Sequence, residues 1–363
     1  MARVLTDAAR RGWNVVPMGG GTKSDWGNPP ERIDLVLSTL GLNRVLEHAA
    51  GDMTVTVEAG CTIAALQETL ARHHQRLALD PLWPAVATVG GVVATNDAGP
   101  LRIAFGSVRD LVLGVTVALP DGTLASSGGK VVKNVAGYDL PKLMTGAFGT
   151  LGVITRATFR LHPLPRETRT FEFTAPSPAA ATRFLLAMHD SPLSVTGLQI
   201  VAIHDALPTV AVRVEGSPGG VNASAAPLAR LAGACGVAPS EASRPWSRRE
   251  WSWGTRDPVA KLTFLPARLA DVCASMPPTP WALVAQSVGV ALLSTSAPPN
   301  AVEQTATRIR SLGGSFTLLR GDDELKRRLD PLQNTDALPL MRRIKHQFDP
   351  TGILNPGRVG GGI

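Results

Sequence analysis

"GGKVVKNVAGYDLPKLMTGAFGTLGVIT", residues 128–155, combines two properties that seldom share one segment. It is dense in glycine, yet its apolar residues keep a register good enough for a core. Glycine inside a packed framework implies that backbone comes close to something bulky. The run from Gly149 to Leu161 alternates apolar and polar residues as a strand does. Just upstream, "VLGVTVALPDGTLAS" reads as two strands joined by an Asp121-Gly122 turn. "DMTVTVEAG" sets Met53, Val55 and Val57 against Thr54, Thr56 and Glu58, which predicts a half-buried strand. Thr62 is a helix N-cap, with Ile63, Leu66 and Leu70 inward. "ARVLTDAARRGW" places Val4, Leu5, Ala8 and Ala9 on one face of a first helix.

A chain of 363 residues is too long for one ordinary core and predicts two domains. Short strands and helices alternate over residues 1–165, until the prolines and charges of "HPLPRETRT" close that unit. Residues 166–335 read as a second domain with an antiparallel sheet, its strands including "LQIVAIH" and "TVAVRVEG". Residues 336–363 form a helix and a Pro- and Gly-rich tail. The fold class is α+β.

With 44% hydrophobic and 18% charged residues, the composition is that of a soluble globular protein. No run of ~20 apolar residues predicts a membrane span. The N-terminus lacks the apolar core of a secretory leader. Cys61, Cys235 and Cys273 are widely separated with no C-x-x-C pair, which fits a reducing cytoplasm and excludes a recognisable zinc or iron–sulfur cradle. Electrons passing through this chain would be carried by a bound organic cofactor or by another subunit. The net charge of +7 comes from scattered residues, with no nucleic-acid reader motif among them. That excess serves solubility or attracts an anionic ligand.

Three glycine sites stand in the first domain. "GGGTKS", residues 19–24, follows a strand; it suits an anion nest for a pyrophosphate, or a flexible strand-end turn. It is neither a Rossmann fingerprint nor a Walker loop. "WPAVATVGGVVATNDAGP", residues 83–100, holds Pro84, Thr88, Gly90, Gly91, Asn96 and Gly99. Apolar and small residues with sparse polar ones suit the wall of a flat aromatic ligand, or a tightly packed loop–helix join. The third is the opening segment, with Lys133, Gly137, Tyr138, Asp139, Gly146, Gly149 and Gly152. Together, each beside a strand, they fit one long ligand with a diphosphate in the middle and a ring at an end.

In this order, "PMGGGTKS", "PAVATVGGVVATNDAG", "FGSVRDLVLGVTVALPDG" and "VKNVAGYDLPKLMTGAFGTLGVIT" resemble the FAD-binding domain of the vanillyl-alcohol oxidase flavoprotein family. The tail "FDPTGILNPGR" looks like that family's C-terminal return to the flavin domain. The resemblance implies a PCMH-type FAD-binding domain of two subdomains over 1–165. It also implies a smaller α+β domain with an antiparallel sheet over 166–335, and a segment, 336–363, that returns to the first. Within the family, length and "GGKVVKNVAGYDLPKLM" are similar to the FAD-binding subunits of bacterial glycolate oxidases.

Carried over position by position, Gly19, Gly20, Gly21, Thr22 and Lys23 would supply the pyrophosphate loop. Thr88, Gly90, Gly91, Asn96 and Gly99 would line the ribityl chain and ring. Lys133, Gly137, Gly149, Gly152, Val153 and Ile154 would complete the site, with Asn355 returning from the tail. Some members of the family tether flavin to a His in this loop. None stands here, and Cys61 matches no cysteinyl link, so the expected cofactor is non-covalent FAD.

The family's 2-hydroxy-acid dehydrogenases carry a signature similar to H-x-G-D-G-N-x-H that holds substrate, metal and base. This chain reads "ALVAQSVGVALLSTSAPP" instead, without an ionisable group. Its seven histidines show no metal spacing beyond the adjacent His73-His74, so no metal is expected and no catalytic residue is assigned. The resemblance therefore implies a cytoplasmic subunit working beside a catalytic flavin subunit and an iron–sulfur subunit. A small hydroxy acid would be the substrate of that complex, and any membrane contact would run through partners. The alternatives are a self-sufficient FAD-dependent 2-hydroxy-acid dehydrogenase and a flavin-free assembly subunit. "RPWSRREWSWGTRDP", with Trp246, Trp251 and Trp253 among four arginines, is either an interface anchor or ordinary stabilisation by stacked Trp and Arg.

Overall fold

The valine-rich runs near Val55, Val115 and Val153 pair into one antiparallel sheet. Its strand order is Val45–Ala49, Thr54–Glu58, Val153–Arg160, Val112–Ala118, Leu124–Gly128. The computed structural model describes residues 1–130, 137–241, 245–330 and 335–363, and the chain divides into two compact units. This sheet belongs to the first, built from Met1–Gly99, Phe105–Leu164 and the C-terminal segment that holds the Leu338–Phe348 helix.

Thr54–Glu58 is buried on both faces, not one: Thr54 is 2% exposed and Glu58 7%. Two of its polar residues find side-chain partners. Thr56 shares a cross-strand hydroxyl contact of 2.9 Å with Thr158, and Glu58 accepts the Arg44 guanidinium at 2.9 Å. Those hydrogen bonds from Arg44 hold the Glu58 carboxyl below its ordinary range.

The Ile63–Ala71 helix starts where Thr62 Oγ1 accepts the Ala65 N–H at 3.2 Å, and it buries Ile63, Leu66 and Leu70. Val89–Thr95 begins in the same way on Thr88 and stops at Asn96 in the left-handed region, φ 50°. The Ala2–Arg11 helix buries Leu5 and Ala8 only; Val4 is 40% exposed, outside the face that the sequence pattern drew.

Val15–Met18 pairs in parallel with Leu35–Ser38 and receives the chain's end on its other side. Val15 donates to the Ile353 carbonyl at 2.8 Å, and Asn355 N–H donates to the Val15 carbonyl at 2.9 Å. Leu5, Ala8, Val15, Ala118, Val153, Ile353 and Leu354 form one small core around this junction. A buried ion pair fixes it: Lys345 Nζ lies 2.7 Å from Asp349 Oδ2 and donates to the carbonyls of Thr150 and Leu354, both at 2.8 Å. Asp349, 1% exposed, in turn accepts the N–H groups of Ile353 and Leu354. Burial pushes the Lys345 amine down from its ordinary value, and Asp349 opposes the shift.

The second unit comprises Pro100–Ala104 and the chain from Pro165 through the Asp323–Arg328 helix. Among the described residues its sheet has eight strands, every pairing antiparallel. Leu198, Ile200, Val210, Val212, Leu283 and Leu293 pack with Phe184, Val302 and Ile309 of its helices into one core. Pro245–Asp257 is bonded to other residues of the sheet. Pro245 O accepts Gln199 Nε2 at 2.6 Å, and Trp246 Nε1 donates to Thr170 Oγ1 at 3.0 Å. The Arg213 guanidinium lies 4.1 Å from the Trp246 ring, and Arg320 binds the carbonyls of Ser252, Trp253 and Asp257. Trp246 and Trp253 are thus fastened into the fold, whereas Trp251 is 55% exposed beneath Arg248. The architecture is α+β. No helix among the described residues is long and apolar enough to cross a membrane.

Removing one partner of a buried ion pair strands the other charge. Asp349→Ala should therefore cost about 3–5 kcal/mol, read as a fall in the urea midpoint with an unchanged slope.

Candidate functional site

Strand Val15–Met18 ends in a loop that turns at Gly21, φ 69°, and seats on the N-terminal turn of Val89–Thr95. A side chain at Gly19 would strike the Thr88 hydroxyl, and one at Gly20 the Val86 carbonyl. At Gly90 a Cβ would lie 2.9 Å from that of Ala59. These three glycines are demanded first by the approach of chain to chain, before any ligand is considered. What the approach leaves is a cavity of about 280 Å³ in the first unit.

Its lining includes Gly19, Gly20, Gly21, Thr22, Lys23, Thr88, Gly90, Gly91, Gly149, Gly152, Val153, Ile154 and Asn355. Asn96, Gly99 and Gly137 lie off it. Asn96 caps the helix, Gly99 donates its N–H to Asp80 Oδ1 at 2.8 Å, and Gly137 adopts φ 79° beside an exposed turn. Lys133 falls outside the described residues.

The N–H groups of Gly19, Gly20, Gly21 and Thr22 donate to no other described residue. Neighbouring bonds explain their direction. Met18 O accepts the Thr39 N–H at 2.9 Å, and Gly21 O accepts both the N–H and the hydroxyl of Ser24. In a planar trans peptide the N–H points opposite to the carbonyl, so the following amides of Gly19 and Thr22 turn away from these partners. Successive free amides make a nest for an anion.

The charges near this loop are engaged with protein groups. Lys23 Nζ lies 3.2 Å from Asp97 Oδ2 with both side chains buried, and Asp97 also accepts the Leu82 N–H. The sequence reading missed Arg358, which lines the cavity while only 8% exposed. Its guanidinium donates to the carbonyls of Lys23, Ser24 and Asn28. The Pro-Gly-Arg tail carries no local signal of that role, since the partners lie some 330 positions away in sequence.

Asn355 and Phe148 both adopt left-handed backbone conformations, φ 47° and 53°. They are joined by Asn355 Nδ2, which donates to Phe148 O at 2.7 Å. The Gly146–Phe148 turn is tied in turn to Val89–Thr95 by N–H bonds to Val93 O and Ala94 O. Asn355 Oδ1 is buried without a partner, an acceptor held at the cavity wall. Cys61 is buried with its thiol pushed upward by desolvation, and the described residues of the lining include no Cys or His. No group of His, Cys, Asp or Glu among the described residues could hold a metal.

Residues 1–128 match the family described as "FAD binding domain", and residues 281–359 match "FAD linked oxidases, C-terminal domain". Glycolate oxidase subunit GlcE of Escherichia coli is 30% identical over 324 residues, 87% of this chain and 84% of that protein. The chain belongs to the FAD-linked oxidase family. Glycolate oxidase subunit GlcD of Bacillus subtilis is 34% identical over 170 residues, 47% of this chain; the matched stretch spans only 36% of that protein. A solved structure titled alkyldihydroxyacetonephosphate synthase superposes with a TM-score of 0.74 at 18% identity, covering 98% of this chain and 74% of that one. That likeness concerns the fold alone.

Membership brings FAD as cofactor and oxidoreduction as the class of chemistry. The cavity fits that cofactor on its own terms. The unpartnered amides of Gly19–Thr22 suit a diphosphate, and Asn355 Oδ1 awaits an N–H donor.

A direct check separates chain packing from ligand packing at the glycines. Gly20→Ala, forced against Val86 O, should lose about 1–3 kcal/mol of stability even without cofactor. Gly41→Ala, with open space around it, should stay within about 0.5 kcal/mol in the same denaturation assay.

Proposed function

We propose that this chain is the FAD-binding subunit of a glycolate (2-hydroxy-acid) oxidase complex, holding its cofactor without a covalent link. Similarity over 87% of the chain to a protein named as a subunit of glycolate oxidase supports that reading. The observation that carries it is the composition of the cavity wall. It offers main-chain donors for a diphosphate, yet among the described residues its only titratable side chains are Lys23 and Arg358. Oxidising a hydroxy acid requires a base for the hydroxyl proton and a cation for the carboxylate. The described residues of this wall include no carboxylate or imidazole to serve as that base. A catalytic flavin subunit would supply what is missing, and an iron–sulfur subunit would take the electrons onward.

FAD, when bound, would supply hydride-accepting and one-electron redox chemistry. The chain's own residues bind and orient. Gly19–Thr22 would donate main-chain N–H groups to the diphosphate, and Gly149, Gly152, Val153 and Ile154 would bound the far wall. Asn355 would accept an N–H of the cofactor at Oδ1 while its amide nitrogen stays on Phe148 O.

The purified chain should be yellow and should release its flavin on acid denaturation. Flavin retained by the denatured chain would refute the non-covalent assignment, and a colourless chain that takes up no added FAD would refute the function. Glycolate turnover with a dye acceptor should need the partner subunits; turnover by this chain alone would establish a self-sufficient dehydrogenase. Asn355→Ala should weaken FAD binding by about tenfold, the worth of a buried hydrogen bond or two, in a titration of apoprotein followed by flavin fluorescence.

A further inference from the structure

We propose that Arg358 is the positioning residue of the diphosphate loop. By clamping loop carbonyls, it keeps the Gly21–Thr22 peptide of the loop set with its N–H toward the cavity and lets the chain select FAD over a flavin without phosphate. The proposal rests on the FAD reading above.

The loop after Gly21 has no regular secondary structure to hold it. Its shape comes instead from a fork of donors that arrives from the far end of the chain. Arg358 Nη1 donates to Asn28 O at 3.1 Å, and Nη2 donates to Lys23 O at 3.4 Å and to Ser24 O. The attachment runs both ways, since Asn28 N–H donates to the Arg358 carbonyl at 2.9 Å. Gly27, φ 76°, sits against that carbonyl so closely that a Cβ would lie 2.5 Å from it.

Fixing the carbonyls of Lys23 and Ser24 anchors the end of the short turn in which Ser24 bonds back to Gly21 O. The Gly21–Thr22 peptide, and with it the Thr22 N–H, inherits its direction from that turn. Lysine at this position could bond one or two carbonyls, but its point charge lacks the planar fork that spans both sides of the loop.

Charge works in the same direction. A guanidinium remains protonated at any ordinary pH. Buried at a cavity wall, it favours an anion over a short, poorly screened path. Asp25 opposes the desolvation that weakens it. A tie that served only to fasten the tail would stabilise the fold without caring what fills the cavity. A residue that aims the amides should instead change the preference between flavins.

The experiment is a pair of binding titrations on wild type, Arg358→Lys and Arg358→Met, each followed by quenching of flavin fluorescence with FAD and with riboflavin. For Arg358→Met, FAD affinity should fall at least about tenfold while riboflavin affinity stays within about twofold. Arg358→Lys should recover part of that loss. FAD affinity unchanged in Arg358→Met, or FAD and riboflavin affinities falling together, would overturn the proposal. Should Arg358→Met fail to fold, Arg358→Lys carries the same comparison, with a selective loss for FAD expected. A wild-type chain that binds no FAD would sink the function itself, a result distinct from either outcome for the variants.

Discussion

The buried pair of Lys345 and Asp349 is the constraint on which the first unit's geometry turns. Asp349 gathers the N–H groups of Ile353 and Leu354, and Lys345 binds the carbonyls of Thr150 and Leu354. One ion pair therefore locks the chain's end beside the loop that precedes strand Val153–Arg160. Everything that the tail brings to the cavity, Asn355 and Arg358 above all, depends on that lock. The desolvation of both charges is offset because each remaining donor and acceptor finds a backbone partner, the condition under which a buried pair is tolerated.

Seen from that anchor, the cavity is assembled from three distant pieces that share one tactic. The Gly19–Ser24 loop, the turn at Phe148 and the tail at Asn355 each place backbone in an uncommon conformation and hold it with a bond from another piece. A left-handed Phe costs on the order of 1–3 kcal/mol and persists only when its surroundings over-determine it. Here Phe148 is held by its own N–H to Ala94 and by Asn355 on its carbonyl.

Much of this was legible in the sequence because the relevant signals are local. Thr62 and Thr88 announce their helices, Asp121-Gly122 its turn, and the alternating valines their strands. The α+β class follows from their order. The partners of charged residues were not legible. Lys23 reads as a phosphate ligand beside three glycines, yet it meets Asp97 across 74 positions, and no local pattern encodes that meeting. Thr54–Glu58 reads as half-buried because its polar residues alternate; only the strands on both sides and Arg44 explain why Glu58 is inside. Arg358 was hidden for the same reason, as a cation in a Pro- and Gly-rich tail whose acceptors lie at the other end of the chain.

The glycines reverse the argument that first drew attention to them. Gly19, Gly20 and Gly90 are required because the chain packs on itself, at Thr88, Val86 and Ala59. Close self-approach leaves the intervening amides with nothing of their own to bind, since the groups that pack against the loop are positioned by side-chain and carbonyl contacts. A ligand that accepts those amides completes a hydrogen-bond account that the protein alone leaves open. The nearby cations are used as braces: Lys23 binds Asp97, and Arg358 binds the loop's carbonyls. In the proposed function, direct contact with the diphosphate would fall to neutral dipoles whose directions are set before the ligand arrives, leaving little ordering to oppose binding.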